Sequence, residues 1–395
     1  MRYGTSVVVI AVASWLAIAP SAGAQAASGL PAGQLPGPTA GCPSGRGVAA
    51  PTVTPWGQQA LSFSSVWGLT QGAGVTVAVI DSGVDANPQF GGRVTAGPDL
   101  SGEIAGIPAG ADCVGHGTAV ASIIAAAPRA GVSFTGVAPR AQIVSIKITN
   151  TETGISSGVT ATAIRDAVGL GASVINLSLA AENTPALQSA VQFAQASNVV
   201  VVAAAGNDAD GGTGPFYPAA YPGVLSVGAV APDGSLAPFS DTRTPVSVTA
   251  PGVDIVSAYP GEYPDAYSLE DNGTSFATAF VSGVAALVRA SHPDFRAAQV
   301  VAWIEETADG AAGPGTGHGL VNPVQAVTAV LAHDGAGAGR AAQHVLVSRP
   351  APPGTGARTR AMTIAGGALG LALVVIAAAA VIPAGRRRGW RAGRV

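Results

Sequence analysis

The sequence predicts a three-layer α/β domain built on a mainly parallel central sheet, followed by a C-terminal transmembrane helix. Short apolar runs rich in β-branched residues alternate with longer helical stretches, which is typical of strands joined by crossover helices. The apolar runs are nearly continuous, as expected of strands that are buried on both faces. Near the C-terminus, an apolar stretch without charges is long enough to cross a bilayer.

The predicted strands and helices follow one another in a regular order along the chain. Strand segments are expected at 74–80 (GVTVAVI), 141–148 (AQIVSIKI), 173–179 (SVINLSL) and 198–207 (NVVVVAAAGN), and then at 223–230 and 246–252. Helical segments are expected at 117–127, 157–171 and 185–197, from Ser275 onward, and at 295–308. Because helices of this length return the chain to the same edge of a sheet, the strands are predicted to run parallel. Ligands of such sheets bind beyond the carboxyl ends of the strands.

The first 24 residues have the properties of a secretory signal peptide. Arg2 supplies a positive charge, residues 7–19 are an apolar run, and the small residues at 22–24 form a cleavage site. Cleavage is expected after residue 24, with Ala26 as the alternative. The remainder of the chain is therefore expected to be exported.

The C-terminal part of the chain is predicted to anchor the protein in the cell membrane. Residues 362–382 carry no charge, and the predicted transmembrane helix covers 361–383. A buried core helix has a similar composition, but the arginines at 386–388 argue against that interpretation. Behind a cleaved signal peptide, this span stops transfer, so that a flexible stalk (333–360) lies outside and a basic tail (384–395) lies in the cytoplasm.

Charge is divided unevenly along the chain. All 22 acidic residues and 10 of the 19 basic residues lie in 1–335, which gives this part a net charge of −12 and the remainder +9. The body of the protein therefore lacks the basic patch that nucleic-acid binding requires, and nucleic acid is not an expected partner.

Two cysteines connect an N-terminal arm to the globular domain. Residues 25–55 are rich in Pro and Gly without periodicity, which is typical of an extended arm, whereas 56–332 form the domain. Cys42 and Cys113 are the only cysteines, and in an exported protein they are expected to form one disulfide. This disulfide would close a loop of about 70 residues. In the chain-entropy model, closing such a loop stabilises the folded state by about 3–5 kcal/mol.

Four polar residues stand where predicted strands end or helices begin. Asp81 and Asn207 end the first and fourth strands, while His116 and Ser275 begin helices. Each has an ordinary explanation: serine is a common helix N-cap, and Asp-Ser-Gly and Gly-His-Gly are common in turns. Because the carboxyl ends of parallel strands meet at one edge of the sheet, the four side chains are also placed to converge there.

Such a convergence suits nucleophilic catalysis by Ser275. A hydroxyl is a poor nucleophile until a base takes its proton, and a histidine base needs a third group to fix its tautomer. His116 is the only histidine before Ser275, and the four later histidines lie in less suitable positions. Asp81, which follows a buried strand, is the candidate for the orienting carboxylate.

Together, the segments VAVIDSGVD, GHGTAVAS and NGTSFATAFVSG, in the order Asp–His–Ser, resemble the three catalytic signatures of the subtilisin-like serine proteases. The resemblance implies a subtilisin-like domain and a serine endopeptidase. Ser275 would attack the scissile carbonyl, His116 would transfer the proton, and Asp81 would hold His116. Asn207 matches the asparagine of the family's oxyanion hole, where it would act with the backbone N–H of Ser275.

The same resemblance implies where a protein or peptide substrate binds. Ser178, Leu179 and Ala180 would present an exposed strand edge, to which the substrate adds as another strand. The segment 203–206, which ends at Gly206, would face this edge across the specificity pocket. Its small side chains are expected to leave room for the substrate side chain.

No metal and no cofactor is expected. The segment NDADGG at 207–212 has the acidic and glycine spacing of the beginning of a calcium loop. It lacks the later ligands, including the distal glutamate, that a complete loop requires. A turn that follows the oxyanion asparagine is the favoured interpretation.

An export signal, an arm containing Cys42, a second cysteine three residues before His116 and a C-terminal span with an arginine-rich tail resemble the mycosins. Mycosins are membrane-anchored subtilases of type VII secretion systems. The resemblance implies that the arm wraps around an extracytoplasmic catalytic domain, and that the disulfide holds the arm near the active site. It also implies that the protein cleaves exported proteins and helps to hold the membrane secretion complex together.

Two alternatives remain open at the level of sequence. The protein could be a general surface subtilase without a role in secretion. It could also be a scaffold of the secretion complex whose protease activity is secondary, although the intact Asp81–His116–Ser275 set argues against a dead enzyme.

Overall fold

A seven-stranded parallel sheet forms the middle layer of the domain, as the alternation of apolar and helical segments predicts. The computed structural model describes residues 42 and 47–330, apart from 103, 105, 152–153, 208–213, 261–265, 311–312 and 314. In chain order the strands are β1 (Thr76–Asp81), β2 (Val94–Asp99), β3 (Gln142–Lys147), β4 (Val174–Leu177), β5 (Val200–Ala204), β6 (Leu225–Val230) and β7 (Val248–Pro251). They lie in the order β2-β3-β1-β4-β5-β6-β7, and each neighbouring pair is parallel.

Helices cover both faces of this sheet. Those of one face are α1 (Trp56–Leu61), α2 (His116–Ala125), α5 (Thr274–Ser291), α6 (Ala297–Glu306) and α7 (Pro323–Thr328), and those of the other are α3 (Ser157–Gly169) and α4 (Pro185–Ala196). Successive residues of β1 alternate between the two cores. Val77 and Val79 belong to the core with α2 and α5, whereas Ala78 and Ile80 belong to the core with α3 and α4. The three-layer α/β class predicted from the sequence is confirmed.

The central helix α5 is buried along almost its whole length. Its residues from Thr274 to Arg289 are all buried, and small side chains allow neighbouring elements to approach closely. At Gly283, an added Cβ would lie 2.5 Å from Cβ of Val137. Within the described residues, α5 is also the one helix that is long and apolar enough to cross a membrane, but 89% of that stretch is buried in the protein. It is therefore a core helix.

The structure corrects the strand prediction for the central sheet at two places. The strand predicted at 198–207 covers only Val200–Ala204, because Asn198 (φ +65°) and Gly206 (φ +112°) adopt left-handed backbone conformations that end it on either side. The edge strand β2 was missed because its sequence VTAGPD contains Gly and Pro, which are tolerated at an edge.

A second, antiparallel sheet leads into the helix α5. It consists of β8 (Ile255–Ala258) and β9 (Tyr267–Asp271). The N-terminal arm adds to it, since Val48 and Tyr267 exchange two backbone hydrogen bonds of 2.9 and 3.0 Å. The described part of the arm thus runs along the domain beside the strand that precedes α5.

Several predicted segments lie outside the described residues. These are the signal peptide (1–24), the stalk (333–360), the transmembrane helix (361–383) and the tail (384–395). The described residues belong to one compact unit that ends at Leu331. The boundaries assigned to the remaining segments stay predictions from the sequence.

Candidate active site

Asp81 and His116 form a hydrogen-bonded pair at the carboxyl edge of the sheet. Asp81 is the last residue of β1, His116 is the first residue of α2, and Oδ1 of Asp81 lies 2.8 Å from Nδ1 of His116. The same carboxylate oxygen accepts the backbone N–H of Ser82 at 2.7 Å. Only 5% of Asp81 is exposed, whereas 25% of the His116 side chain is exposed. A carboxylate that accepts from Nδ1 fixes the neutral tautomer of the imidazole in which Nε2 carries the lone pair that can take a proton.

Ser275 lies one residue inside the N-terminus of α5. It is 8% exposed, and its hydroxyl donates a hydrogen bond to the carbonyl of Ser178 at 3.2 Å. Its backbone N–H belongs to the first turn of the helix, where amides have no intrahelical acceptor, and it bonds to no described residue. This N–H is therefore available to an anion, and the helix dipole favours negative charge at the same place.

Asn207 supplies a second donor beside this amide. It is exposed after β5, and its Oδ1 accepts both the backbone N–H and the hydroxyl of Thr274, each at 2.7 Å. These two bonds fix which end of the side-chain amide faces α5. The Nδ2 group carries two hydrogens and meets no acceptor among the residues that the structure describes. The side chain can therefore donate to an oxygen held in front of Ser275.

A chain of buried polar side chains lies behind the serine. Ser178 donates from Oγ to the carbonyl of Ser275 at 2.8 Å and accepts from Nδ2 of Asn176 at 2.9 Å. Oδ1 of Asn176 in turn accepts the hydroxyl of Ser282 at 2.8 Å. This series of hydrogen bonds connects the end of β4 with α5 and fixes the position of Ser275 relative to the sheet. Asn176 and Ser282 were not recognised in the sequence, where the only signal is a polar residue within an apolar strand.

A cluster of buried charges supports the loop that precedes His116. Oδ1 of Asp112 accepts the hydroxyl of Ser82 and the N–H of Gly115, both at 2.8 Å. Its Oδ2 accepts the N–H and the hydroxyl of Thr118 at 2.8 and 2.6 Å. Four donors therefore hold the chain on both sides of His116. Burial raises the pKa of Asp112, and these four hydrogen bonds oppose the increase.

Asp85 and Lys147 complete this cluster. Asp85 accepts the N–H of Asp112 at 2.9 Å, and burial raises its pKa from 3.8 to about 7. The ammonium group of Lys147 donates to the carbonyl of Ala111 at 2.5 Å, and burial lowers its pKa while the nearby aspartates oppose the decrease. These buried groups were also not recognised in the sequence.

Two further side chains flank the imidazole from the α5 side. The ring centroid of Phe276 lies 5.6 Å from that of His116. Asp271, at the end of β9, accepts hydroxyl groups from Ser257 and Ser268 at 2.5 and 2.6 Å. Burial raises the pKa of Asp271, while the hydrogen bonds from Ser257 and Ser268 and positive charge on His116 lower it, so this carboxyl is a second acidic group in the cleft that His116 lines.

The candidate catalytic residues open onto one cleft of about 620 Å³. Eight site residues inferred from the sequence line it: Asp81, His116, Ser178, Leu179, Ala180, Gly206, Asn207 and Ser275. The cleft also exposes residues that the sequence did not indicate, among them Ile148, Ile155, Phe216 and Asp271. Of the segment 207–212 discussed as a partial calcium loop, 208–212 lies outside the described residues. Elsewhere in the described chain, no group of three or more acidic, His or Cys side chains could hold a metal ion.

The two cysteines are joined as the sequence predicts. Cys42 and Cys113 form a disulfide with their Cα atoms 4.9 Å apart. Cys113 stands three residues before His116 and directly follows the buried Asp112. The arm is therefore covalently attached to the loop that carries the histidine.

Comparison with known proteins identifies a common family. The sequence profile of the subtilase family (peptidase S8) matches residues 72–337. The thermophilic serine proteinase of Bacillus sp. (strain AK1) is 38% identical over 281 residues, which cover 69% of this chain and 67% of that protein. Thermitase of Thermoactinomyces vulgaris is 35% identical, with 69% of this chain and 95% of that protein covered.

The similar solved structures include proteases from type VII secretion systems. The crystal structure of MycP1 with its N-terminal propeptide removed matches with a TM-score of 0.64 at 31% identity, covering 72% of this chain and 99% of that one. The MycP3 protease from the type VII (ESX-3) secretion system matches with a TM-score of 0.61 at 33% identity, covering 72% and 92%.

Proposed function

The chain belongs to the subtilase family and is a serine endopeptidase, and from this premise we propose that Asp81, His116 and Ser275 carry out its chemistry. The observation that carries the proposal is the 2.8 Å Asp81–His116 pair, which opens onto the same cleft as Ser275 and Asn207. Substrates are proteins or peptides. The reaction is hydrolysis of a peptide bond through an acyl-enzyme intermediate.

In the first step, Nε2 of His116 takes the proton of the Ser275 hydroxyl as Oγ attacks the carbonyl carbon. The hydroxyl leaves its contact with the carbonyl of Ser178 to do so. Asp81 stabilises the imidazolium that forms and keeps Nδ1 as the donor side of the ring. His116 then gives the proton to the departing amine, and a water molecule repeats the sequence to release the acyl group.

The negative charge that develops on the carbonyl oxygen is held by two donors. These are the backbone N–H of Ser275 at the start of α5 and Nδ2 of Asn207. Both are fixed before the substrate arrives, the first by the helix and the second by the two bonds from Thr274. Little reorganisation is then needed in the transition state, which is the main advantage of such a site.

The acyl side of the substrate binds along Ser178, Leu179 and Ala180. This segment follows β4 and lines the cleft, and the N–H groups of Leu179 and Ala180 bond to no described residue. An extended peptide can therefore pair with them as an added strand. Gly206 lies opposite, on the segment that leads to Asn207.

We further propose that the enzyme is held at the cell membrane by residues 361–383 with its catalytic domain outside, where it processes proteins exported by a type VII secretion system. The likeness to MycP1 and MycP3, the latter described as a protease from such a system, supports this role. The disulfide between the arm and the loop before His116 suits an oxidising, extracytoplasmic compartment. The same likeness supports a second role, in which the protein stabilises the secretion complex.

The proposal is tested in a strain that lacks the gene and receives the wild type, Ser275→Ala or the control Ser65→Ala, whose exposed hydroxyl lies outside the cleft. We expect wild type and control to process exported proteins, to co-purify with the secretion complex and to stay in the membrane after alkaline extraction. Ser275→Ala should lose processing but keep co-purification, and deletion of 361–395 should release the protein. A wild type that neither processes exported proteins nor co-purifies with the complex would be a general surface subtilase.

A further inference from the structure

The pocket that receives the substrate residue on the acyl side of the scissile bond has an unusual end wall. When the carbonyl of that residue lies between Ser275 and Asn207, its side chain must extend along Gly206, which is bonded to Asn207. The opposite wall is the edge that Leu179 and Ala180 form. Neither wall projects a bulky side chain into the pocket. The space available to the substrate side chain therefore depends on which residue closes the slot between the two walls.

Phe216 closes that slot. A Cβ added to Gly206 would lie 2.3 Å from Cδ2 of Phe216 and 2.7 Å from both Cε2 and Cγ, so the ring lies directly against the glycine backbone. The next residue, Tyr217, accepts the N–H of Ala181 at 2.8 Å. Residues 216 and 217 therefore connect the Gly206 wall with the wall that continues from Ala180, and the ring of Phe216 lies in the cleft between them.

The backbone of Phe216 is held in this position from both sides. Its N–H donates to the hydroxyl of buried Thr244 at 2.9 Å, and its carbonyl accepts the N–H of Ala220 at 2.9 Å. The guanidinium of Arg243 lies over the ring of Phe216, 5.8 Å from its centroid, and is paired with Asp241. Asp241 is fully buried, pairs with Arg243 and donates its own N–H to the carbonyl of Gly206 at 3.0 Å. These bonds fix the backbone from which the ring projects, and the ring itself packs against Gly206 and the Arg243 guanidinium.

We propose that Phe216 determines the specificity of the enzyme by restricting the residue on the acyl side of the scissile bond to glycine, alanine or serine. This inference rests on the proposed function, because it takes Ser275 and Asn207 as the points that hold the scissile carbonyl. The sequence suggested the opposite, since the small residues at 203–206 indicated a roomy pocket. The ring of Phe216, which follows them in the chain by ten residues, fills the space that they leave.

The experiment uses the purified full-length protein and a set of peptides that differ only in the acyl-side residue: Gly, Ala, Leu or Phe. We expect the wild type to prefer Ala over Phe by at least about 100-fold in kcat/KM, because even one methylene group changes selectivity by about 10–200-fold in a fitted pocket. Phe216→Ala and Phe216→Gly should lower this ratio by at least about 10-fold or reverse it, since each creates space for a large side chain. Phe193→Ala removes an exposed phenylalanine on α4 outside the cleft and should leave the ratio unchanged.

A fluorophosphonate probe, which carries no acyl-side residue, reports whether each variant retains an assembled site. If the probe labels neither Phe216→Ala nor Phe216→Gly, the inference is judged from two other results. These are the kcat/KM ratio for Ala over Phe of the wild type and the same ratio of the milder variant Phe216→Leu. Labelled wild type that cleaves after Phe or Leu as fast as after Ala overturns the inference while leaving the proposed function intact. So does an unchanged ratio in a labelled Phe216 variant. A wild type that neither labels nor cleaves any peptide overturns the proposed function, and the inference with it.

Discussion

Replacing Asp85 with asparagine should change how the stability of the domain depends on pH. Asp85 is 3% exposed, and burial raises its pKa from 3.8 to about 7. The folded protein therefore keeps a proton on this carboxyl over a range in which the unfolded chain releases it. For a carboxyl whose folded pKa is raised, the free energy of unfolding falls as the pH rises from the unfolded value to the folded value.

The size of the effect follows from the separation of the two pKa values. Each unit corresponds to about 1.4 kcal/mol, so ionisation of Asp85 removes about 4 kcal/mol of stability between pH 4 and pH 7. The amide introduced by Asp85→Asn would carry no titrating proton but would keep an oxygen to accept the N–H of Asp112. The difference in free energy of unfolding between Asp85→Asn and wild type should therefore grow in favour of the variant by about 3 kcal/mol from pH 4.5 to pH 7.

The assay is urea unfolding at a series of pH values, with both proteins in the Ser275→Ala background to prevent self-digestion. Subtracting the two profiles removes the titration of groups remote from Asp85, whereas the coupling of Asp85 to Asp112 and Lys147 in the buried cluster remains part of the difference. Asp254→Asn, which removes one exposed carboxylate, is the matched control. A difference between Asp85→Asn and wild type that stays constant across this range would show that the pKa of Asp85 is not raised in the folded domain.

Three further predictions concern catalysis, the disulfide and the core. Asn207→Ala should reduce kcat by about 10²–10³-fold with little change in KM, because it removes a donor that acts mainly in the transition state; steady-state kinetics on one peptide would measure this. Replacing Cys42 and Cys113, which are 71 residues apart, with serine should lower the free energy of unfolding by about 4 kcal/mol, and a loss below about 1 kcal/mol in denaturant titration would contradict it. Gly283→Ala should cost about 1–3 kcal/mol in the same titration, because its methyl group would lie 2.5 Å from Cβ of Val137; unchanged stability would show that α5 and the loop that carries Val137 separate freely.

Local sequence was enough to predict the elements that position the proposed catalytic residues. The buried strands are continuous apolar runs, and Asp81, His116 and Ser275 lie in short segments whose residue order resembles one family. The parallel arrangement then requires the ends of these strands to share one edge of the sheet. The cleft does bring these three residues together with Asn207.

Features that depend on contacts between distant segments could not be predicted in the same way. Asn176, Ser178 and Ser282 form one hydrogen-bonded chain, although Ser282 stands 106 residues after Asn176. Phe216 follows a segment without periodicity, so its contact with Gly206 becomes visible only in three dimensions. The ribbon of β8 and β9 was missed for a related reason, because it is completed by the arm through Val48.

The proposed role of Ser275 is that of the activated nucleophile of this endopeptidase. It is tested most directly by treating the full-length, oxidised protein with a fluorophosphonate probe and mapping the modified residue by mass spectrometry. We expect one label per chain, on Ser275, no label in Ser275→Ala and much slower labelling in His116→Ala. A label on another residue, or undiminished labelling of Ser275→Ala, would contradict it.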